Sequence, residues 1–395
     1  MELSQGLKLR IFHYGEKKDR QFALFICIYL ILNAVNSMLQ TTFGITGSSL
    51  QSVRVVMYAV IFLALAAGFL TLTRDEKSKF IALEIGIGLT YLFSMLYGGG
   101  TSTTEWLIES LGIYMPLGFY AYAVEDKQNL YRELLRSSWL LFVVMVIYSL
   151  RITTYSMHFG YSILLLILLH LNEATNGKKW YWLLAVVETV LLLRLGSRGA
   201  VISIGVFLAL KVIANSTSRY KFFYAGLLLA VLAGLLYTIN NYGLVFYQYL
   251  ASQGRASRTM YLLLTGQMTS HDSGRMDLWR MSIEAIKRKP WFGWGIGGVT
   301  SELQGHPYPH QMFLDLMCSF GVPIGAALSI LVVVKAIKAL MRPVSVQKEL
   351  MSIFFCIGFV SLMFSGTCFT NYYFFLFLGL TMYKRSNDSV DIKIL

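Results

Sequence analysis

Charge is the scarcest commodity in this sequence. Asp, Glu, Lys and Arg make up only 14% of its 395 residues, against about 25% in a soluble globular chain, which excludes a water-soluble enzyme of ordinary kind. Cysteine is scarce as well. The four present (Cys27, Cys318, Cys356 and Cys368) lie in or beside apolar runs without metal-type spacing, which argues against a disulfide framework. The glycine-rich stretch Trp291 to Gly298 follows no strand pattern, so it carries no nucleotide-binding fingerprint.

What the sequence has in quantity is apolar length. Hydrophobic residues form 56% of the chain, the mean hydropathy is +0.57, and runs of membrane-spanning length recur from residue 22 to residue 383. The chain therefore reads as all-α, one polytopic membrane domain over 1–395. Spans are expected near 22–39, 53–72, 80–97, 105–124, 138–150, 159–171, 180–193, 199–214, 222–240, 311–334, 350–367 and 370–383, about twelve transmembrane helices. No small-residue cleavage site follows the first run, so it is expected to stay as a span.

Orientation follows from Lys and Arg in the connections. The loops at 1–20, 73–79, 125–136, 172–179, 211–221, 335–349 and 384–395 hold 23 of the 34 basic residues. That side is expected to be cytoplasmic, with both termini on it. The longest connection, 241–310, is then a large extracytoplasmic loop, and a loop of that length is more often functional than idle.

Arginine and lysine are divided unequally between the two sides. The cytoplasmic loops carry 15 Lys and 8 Arg, whereas the outer side has Lys287 and Lys289 against nine arginines. Topology does not distinguish the two residue types, but phosphate does, because a guanidinium offers a planar fork of donors to two oxygens. Any single arginine is better explained by headgroup contact or ion pairing. Arg194 and Arg198 are different, since they sit where one apolar run ends and the next begins at once. Ser197 can cap the following helix, leaving its free N–H groups beside Arg198 as an anion site.

Within the outer loop, 273–288 has the pattern of an amphipathic helix lying along the membrane surface. Ser273 is the expected N-cap, Asp277 falls in the first turn and Pro290 ends the helix. Arg275 lies near its positive end, where a second anion contact could form, and Arg280 lies on its polar face. His310 follows two prolines, Pro307 and Pro309, which hold it at the mouth of the tenth span. A lone histidine is more often an ordinary polar residue, yet it is also the side chain best suited to accept a proton near neutral pH. Zinc does not fit, because His306 and His310 are separated by those prolines and His271 is distant. The outer carboxylates form no close pair suited to Mg²⁺, and no other cofactor is called for.

Three segments together carry a resemblance. They are Gly196-Ser197-Arg198-Gly199; Ser273-Gly274-Arg275-Met276-Asp277-Leu278-Trp279 with Pro290-Trp291-Phe292-Gly293-Trp294-Gly295; and Pro309-His310-Gln311-Met312-Phe313-Leu314 leading to Phe320-Gly321-Val322-Pro323-Ile324-Gly325. In order, spacing and topology they resemble the O-antigen ligase and O-antigen (Wzy-type) polymerase family of integral-membrane glycosyltransferases. The resemblance implies a metal-independent enzyme of the bacterial cytoplasmic (inner) membrane that uses a polyprenyl-diphosphate-linked glycan as donor. It implies that Arg198 and Arg275 grip the donor diphosphate, with Arg194 and Arg280 completing the expected set. His310 would activate or orient the acceptor hydroxyl. Two positions depart from the pattern: Gln311 stands where the family usually has Asn, and Ser319 where an acidic residue is often seen.

The leading expectation is a polymerase joining lipid-linked repeats into O-antigen or capsule-type polysaccharide. A ligase moving the same glycan to another acceptor shares its donor chemistry. A transporter of the lipid-linked sugar is the reading from another class. It would need many ionisable residues along the spans, and Glu84, Glu109, Glu188 and Asp315 are few. Expected partners are the lipid-linked oligosaccharide, membrane lipid, and a chain-length regulator and flippase of the same pathway, with no nucleic acid.

Overall fold

The structure is a computed structural model and describes residues 2–42, 48–98, 102–152, 156–195, 198–215 and 274–382, with a few residues between 245 and 252. Among these every regular element is helical. The elements are α1 (Glu2–Thr42), α2 (Ser48–Thr71), α3 (Arg74–Tyr97), α4 (Ser102–Glu109), α5 (Met115–Ala123), α6 (Lys127–Arg151), α7 (Met157–Thr175), α8 (Tyr181–Leu195), α9 (Arg198–Asn215), α10 (Arg275–Arg288), α11 (Met312–Leu340), α12 (Val346–Phe354) and α13 (Tyr372–Thr381). A π-turn, Ser110–Tyr114, joins α4 to α5, and a second, Phe355–Val360, continues α12.

Six helical stretches are long and apolar enough to cross a membrane: Glu16–Leu39, Arg74–Tyr97, Lys127–Arg151, Met157–Thr175, Met312–Leu340 and Val346–Met363. Shorter apolar helices run over Val55–Thr71, Gly199–Ile213 and Tyr372–Thr381. The expected span at 222–240 lies outside the described residues, as does most of the expected loop before Gly274. Charged connections are helical more often than hydropathy suggests. The basic stretch 127–136 is the first part of α6, because the Asp126 carboxylate caps that helix by accepting from the Gln128 N–H at 2.9 Å.

The chain is a membrane protein by its surface as well as its interior. Leu63, Leu70, Leu96, Leu150 and Leu183 stand at least two-thirds exposed, a surface that water disfavours and acyl chains accept. Of the six spans α7 is the most enclosed, and its Ile163 to Leu169 are all buried. Several buried polar groups around it are paired, as a low-dielectric interior favours. Glu188 accepts from or shares a proton with His170 Nδ1 at 2.8 Å, and His170 Nε2 lies 3.0 Å from the Ser138 hydroxyl.

One end of the bundle is held by lysine pairs. Lys18 Nζ reaches Glu76 at 2.7 Å, with both side chains buried, and Glu76 also closes a capping box with Thr73 at the start of α3. Asp19 accepts from the backbone N–H groups of Glu125 and Asp126, and Lys211, Asn172 and Asn176 converge on Glu349. His310 lies at the opposite end, where α3, α4, α10 and α11 meet.

Candidate active site

Local sequence explains how His310 is held. Gln311 caps α11, its side-chain oxygen accepting from the Leu314 N–H at 2.7 Å. The longer amide thus performs the capping an asparagine would provide at this position. To enter the cap, His310 adopts φ +57, a left-handed conformation that costs a non-glycine residue about 1–3 kcal/mol and concentrates at functional sites. Its imidazole meets the Tyr308 ring edge-on at 4.6 Å between centroids, and Tyr308 in turn packs near Trp106. The histidine is half-buried. Burial first, then the Arg275 guanidinium and then His306, push its pKa down from the ordinary value to about 4. His310 is therefore a neutral imidazole at physiological pH, able to accept a hydrogen bond. Burial raises the Tyr308 phenol, with the Asp315 carboxylate adding to it.

One turn beyond the cap, Asp315 is buried and accepts a hydrogen bond from the Thr367 hydroxyl at 2.6 Å. That contact fixes the segment between α12 and α13 against the start of α11.

A break in α11 brings Arg275 to the same region. Gly321 has φ +76 and ψ 171 inside the helix, just before Pro323. Proline has no N–H, so the Ser319 carbonyl loses its usual helical donor, and the Gly295 N–H replaces it at 3.0 Å. The Trp294 N–H donates to the Cys318 carbonyl at 2.7 Å, and the Val322 N–H donates back to Pro290 at 2.7 Å. The 290–295 turn is thus laced into the break. It also holds the end of α10, since Trp294 Nε1 donates to the Ala285 carbonyl at 2.9 Å and Lys289 Nζ lies 4.1 Å above the Trp294 ring. Leu278, Ser282 and Ala285 bury the inner face of α10, Leu278 and Ala285 packing with Cys318, Val299 and Leu303. The helix lies on the start of α11 and not on lipid alone. Its N-cap is Gly274, with φ +77 and no side-chain cap; Ser273, expected in that role, lies outside the described residues.

Of the expected site residues, Arg275 lies near enough to His310 for its charge to act on the imidazole. Arg275 is the first residue of α10 and is half-buried. Arg280 stands on the exposed face of the same helix, 3.6 Å from the Asp277 carboxylate. Arg194 is half-buried in the last turn of α8. Arg198 opens α9, and its side chain lies outside the described residues. Its neighbour Gly199 packs against Tyr161 so closely that a methyl there would sit 2.5 Å from the phenol oxygen. Tyr161 lines a cavity of about 350 Å³ that Tyr308 also lines. The residues that sequence reasoning did not select are in that cavity wall, among them Asn33, Asn36 and Asn371. Glu109 was visible only as one of a few acids within the spans. Asn33 and Asn36, one helical turn apart in an otherwise apolar run, were the available signal. Among the described residues no three His, Cys, Asp or Glu side chains stand close enough to hold a metal ion.

Residues 182–329, somewhat over a third of the chain, match the family described as O-Antigen ligase. The match runs from α8 through the broken α11 and contains all five expected site residues. No curated protein and no solved structure matches the chain.

Proposed function

We propose that the protein is a polysaccharide polymerase of the bacterial cytoplasmic membrane, joining polyprenyl-diphosphate-linked repeats on its outer face without a metal ion. Arg275 and Arg198 hold the donor diphosphate, with Arg194 at the edge of the site and Arg280 reaching it by leaving Asp277. The acceptor hydroxyl oxygen attacks the anomeric carbon, the bond from that carbon to the diphosphate oxygen breaks, and polyprenyl diphosphate departs with the electron pair. Stabilising that departing charge is the larger contribution, since charge develops there. The hydroxyl proton passes to His310. In the free protein His310 is a weak base, but the bound diphosphate neutralises the field of Arg275 and raises its pKa toward working pH. Base and donor are thereby coupled.

The observation that carries this reading is a half-buried His310 held at φ +57 against Tyr308, with the Arg275 guanidinium near enough to lower its pKa. The family's own description favours a second reading, a ligase that moves the same glycan to a different acceptor. Deletion of the gene in its producing bacterium separates the two. A polymerase deletion leaves single repeats and no ladder, a ligase deletion leaves long lipid-linked chains unattached, and an unchanged glycan profile refutes both. Complementation with His310→Ala or Arg275→Ala is expected to restore no polymer although each variant inserts normally. Full-length polymer from both would remove these residues from the site.

A further inference from the structure

The cavity that begins at Tyr308 runs into the bundle between α1, the π-turn after α4, the start of α7 and the segment before α13. Its volume of about 350 Å³ is in the range of small-molecule sites, roughly 300–1,000 Å³. Its chemistry is not that of an apolar bundle. Asn33, Asn36, Glu109, His158 and Asn371 line it, with several tyrosines, and among the described residues no lysine or arginine does. A diphosphate would find no cation among those side chains, whereas a neutral ligand rich in hydroxyls would find amides and a carboxylate as acceptors and aromatic faces to lie on.

Two further observations point to a ligand. Both π-turns of the described chain border this cavity: one follows Glu109 and ends in Tyr114, the other contains Ile357 and precedes Ser361. Insertions of this kind are frequent at functional sites, where they re-aim side chains at some cost to the helix. The first turn is held open deliberately, the Ser110 hydroxyl donating to the Phe369 carbonyl at 2.7 Å. Glu109 is then oriented by the Tyr114 hydroxyl, 2.9 Å from one carboxylate oxygen. In addition, the Asn36 amide oxygen is buried with no hydrogen-bond partner among the described residues, a condition that costs stability unless a ligand relieves it.

We propose that this cavity binds the sugar rings of the acceptor glycan, with Glu109 and Asn36 accepting from its hydroxyls, and delivers its terminal hydroxyl past Tyr308 to His310. The proposal rests on the glycosyl-transfer reading above. It assigns the two substrates to two chemistries: the anionic donor to the arginines, the neutral acceptor to the cavity of amides, tyrosines and Glu109. The Tyr308 ring joins the two, since it lines the cavity and stands 4.6 Å from the imidazole.

The test uses two probes on the purified full-length protein in lipid nanodiscs. One is the free oligosaccharide released by mild acid from the producing bacterium's own lipid-linked repeat; the other is polyprenyl diphosphate bearing no sugar. Glu109→Gln and Asn36→Leu are expected to weaken oligosaccharide binding about tenfold or more, the scale of a lost hydrogen bond to a charged or buried acceptor, while diphosphate binding is unchanged. Arg275→Ala is expected to do the reverse. Wild-type oligosaccharide affinity in both cavity variants, or no oligosaccharide binding by a wild-type protein that holds the diphosphate, overturns the inference and leaves the functional reading standing. Loss of both probes by both cavity variants makes the cavity structural and also overturns it. A wild-type protein that binds neither probe refutes the glycosyl-transfer reading itself.

Discussion

Replacing Gly321 by alanine tests whether the break in α11 is what assembles the site. At φ +76 and ψ 171 the backbone lies in a region open essentially to glycine, and another residue there costs about 1–3 kcal/mol. The added methyl would also stand 2.4 Å from the Trp291 carbonyl carbon and oxygen and 2.7 Å from the Phe292 nitrogen. These are backbone atoms with no rotamer to change, so the 290–295 turn must withdraw. Withdrawal opens the three hydrogen bonds from Trp294, Gly295 and Val322 that lace turn to helix, each worth about 0.5–1.5 kcal/mol. The combined penalty is on the order of 3–7 kcal/mol, enough to free α10 from α11 without removing an apolar span. Gly321→Ala is therefore expected to insert normally, to lower the thermal midpoint of the solubilised protein by several degrees and to speed proteolysis near Trp291. Polymer should be lost, because Arg275 no longer has a fixed position relative to His310. Val322→Ala, a change at a residue 40% exposed, serves as the control and should be near neutral. A Gly321→Ala protein with the wild-type midpoint and a full polymer ladder would show that the laced break does not position the site.

The acid range offers a direct probe of His310. Burial and a neighbouring positive charge both disfavour the imidazolium, so its midpoint lies near 4 and the imidazole stays neutral as pH falls through 6.5, the ordinary histidine value. In a nuclear magnetic resonance titration of the six labelled histidines, Arg275→Ala should move that midpoint upward but keep it below 6.5, since burial remains; an unmoved midpoint means that Arg275 does not face the ring. In donor kinetics, Arg198→Lys should raise KM because a point charge cannot replace the two-pronged contact, whereas Arg280→Ala should cost less than Arg275→Ala, its guanidinium being exposed and engaged with Asp277. Equal losses at 275 and 280 would put α10 in a different orientation. At the other end of the bundle, Lys18→Met strips the ammonium from the buried Glu76 carboxylate and should cost about 3–5 kcal/mol, recovered in part by adding Glu76→Gln; a neutral single variant in thermal melts would mean the pair is solvated.

How much of this was legible in the sequence depends on how far apart the cooperating residues lie. Apolar runs mark helices wherever they were expected among the described residues, because a run long enough to cross a bilayer satisfies its backbone most simply as a helix. The helix over Arg275–Arg288 and its end before Pro290 were legible from local pattern alone, and so was the place of His310 directly before α11. The capping residue was misread by one position, since glycine at φ +77 can open a helix with no side chain to signal it. Arg280 illustrates a different limit. Five residues beyond Arg275 on a helix is a rotation of about 140°, so Arg280 projects from another side of α10 and joins Arg275 at one ligand only by curling its long side chain around the helix. Periodicity contained that information, although the count of outer-side arginines concealed it.

Beyond the Asn33 and Asn36 pair and the intramembrane Glu109, the cavity could not be read in advance. Its wall takes Asn33 and Asn36 from α1, Glu109 from α4, His158 from α7 and Asn371 from the turn before α13, and no local pattern links them. The π-turns that aim Glu109 and Tyr114 inward have no composition of their own; they follow from contacts such as Ser110 with Phe369, which exist only after folding. This division has a physical cause. A diphosphate needs concentrated charge, and charge in an apolar chain is conspicuous wherever it falls. A glycan needs only amides, hydroxyls and ring faces, which an apolar sequence contains in ordinary numbers, so its site becomes distinct only when distant helices bring them together around an unfilled space. On the function proposed above, the arginines therefore announce the donor's half of the reaction, while the acceptor's half depends on tertiary packing between α1, α4, α7 and α13.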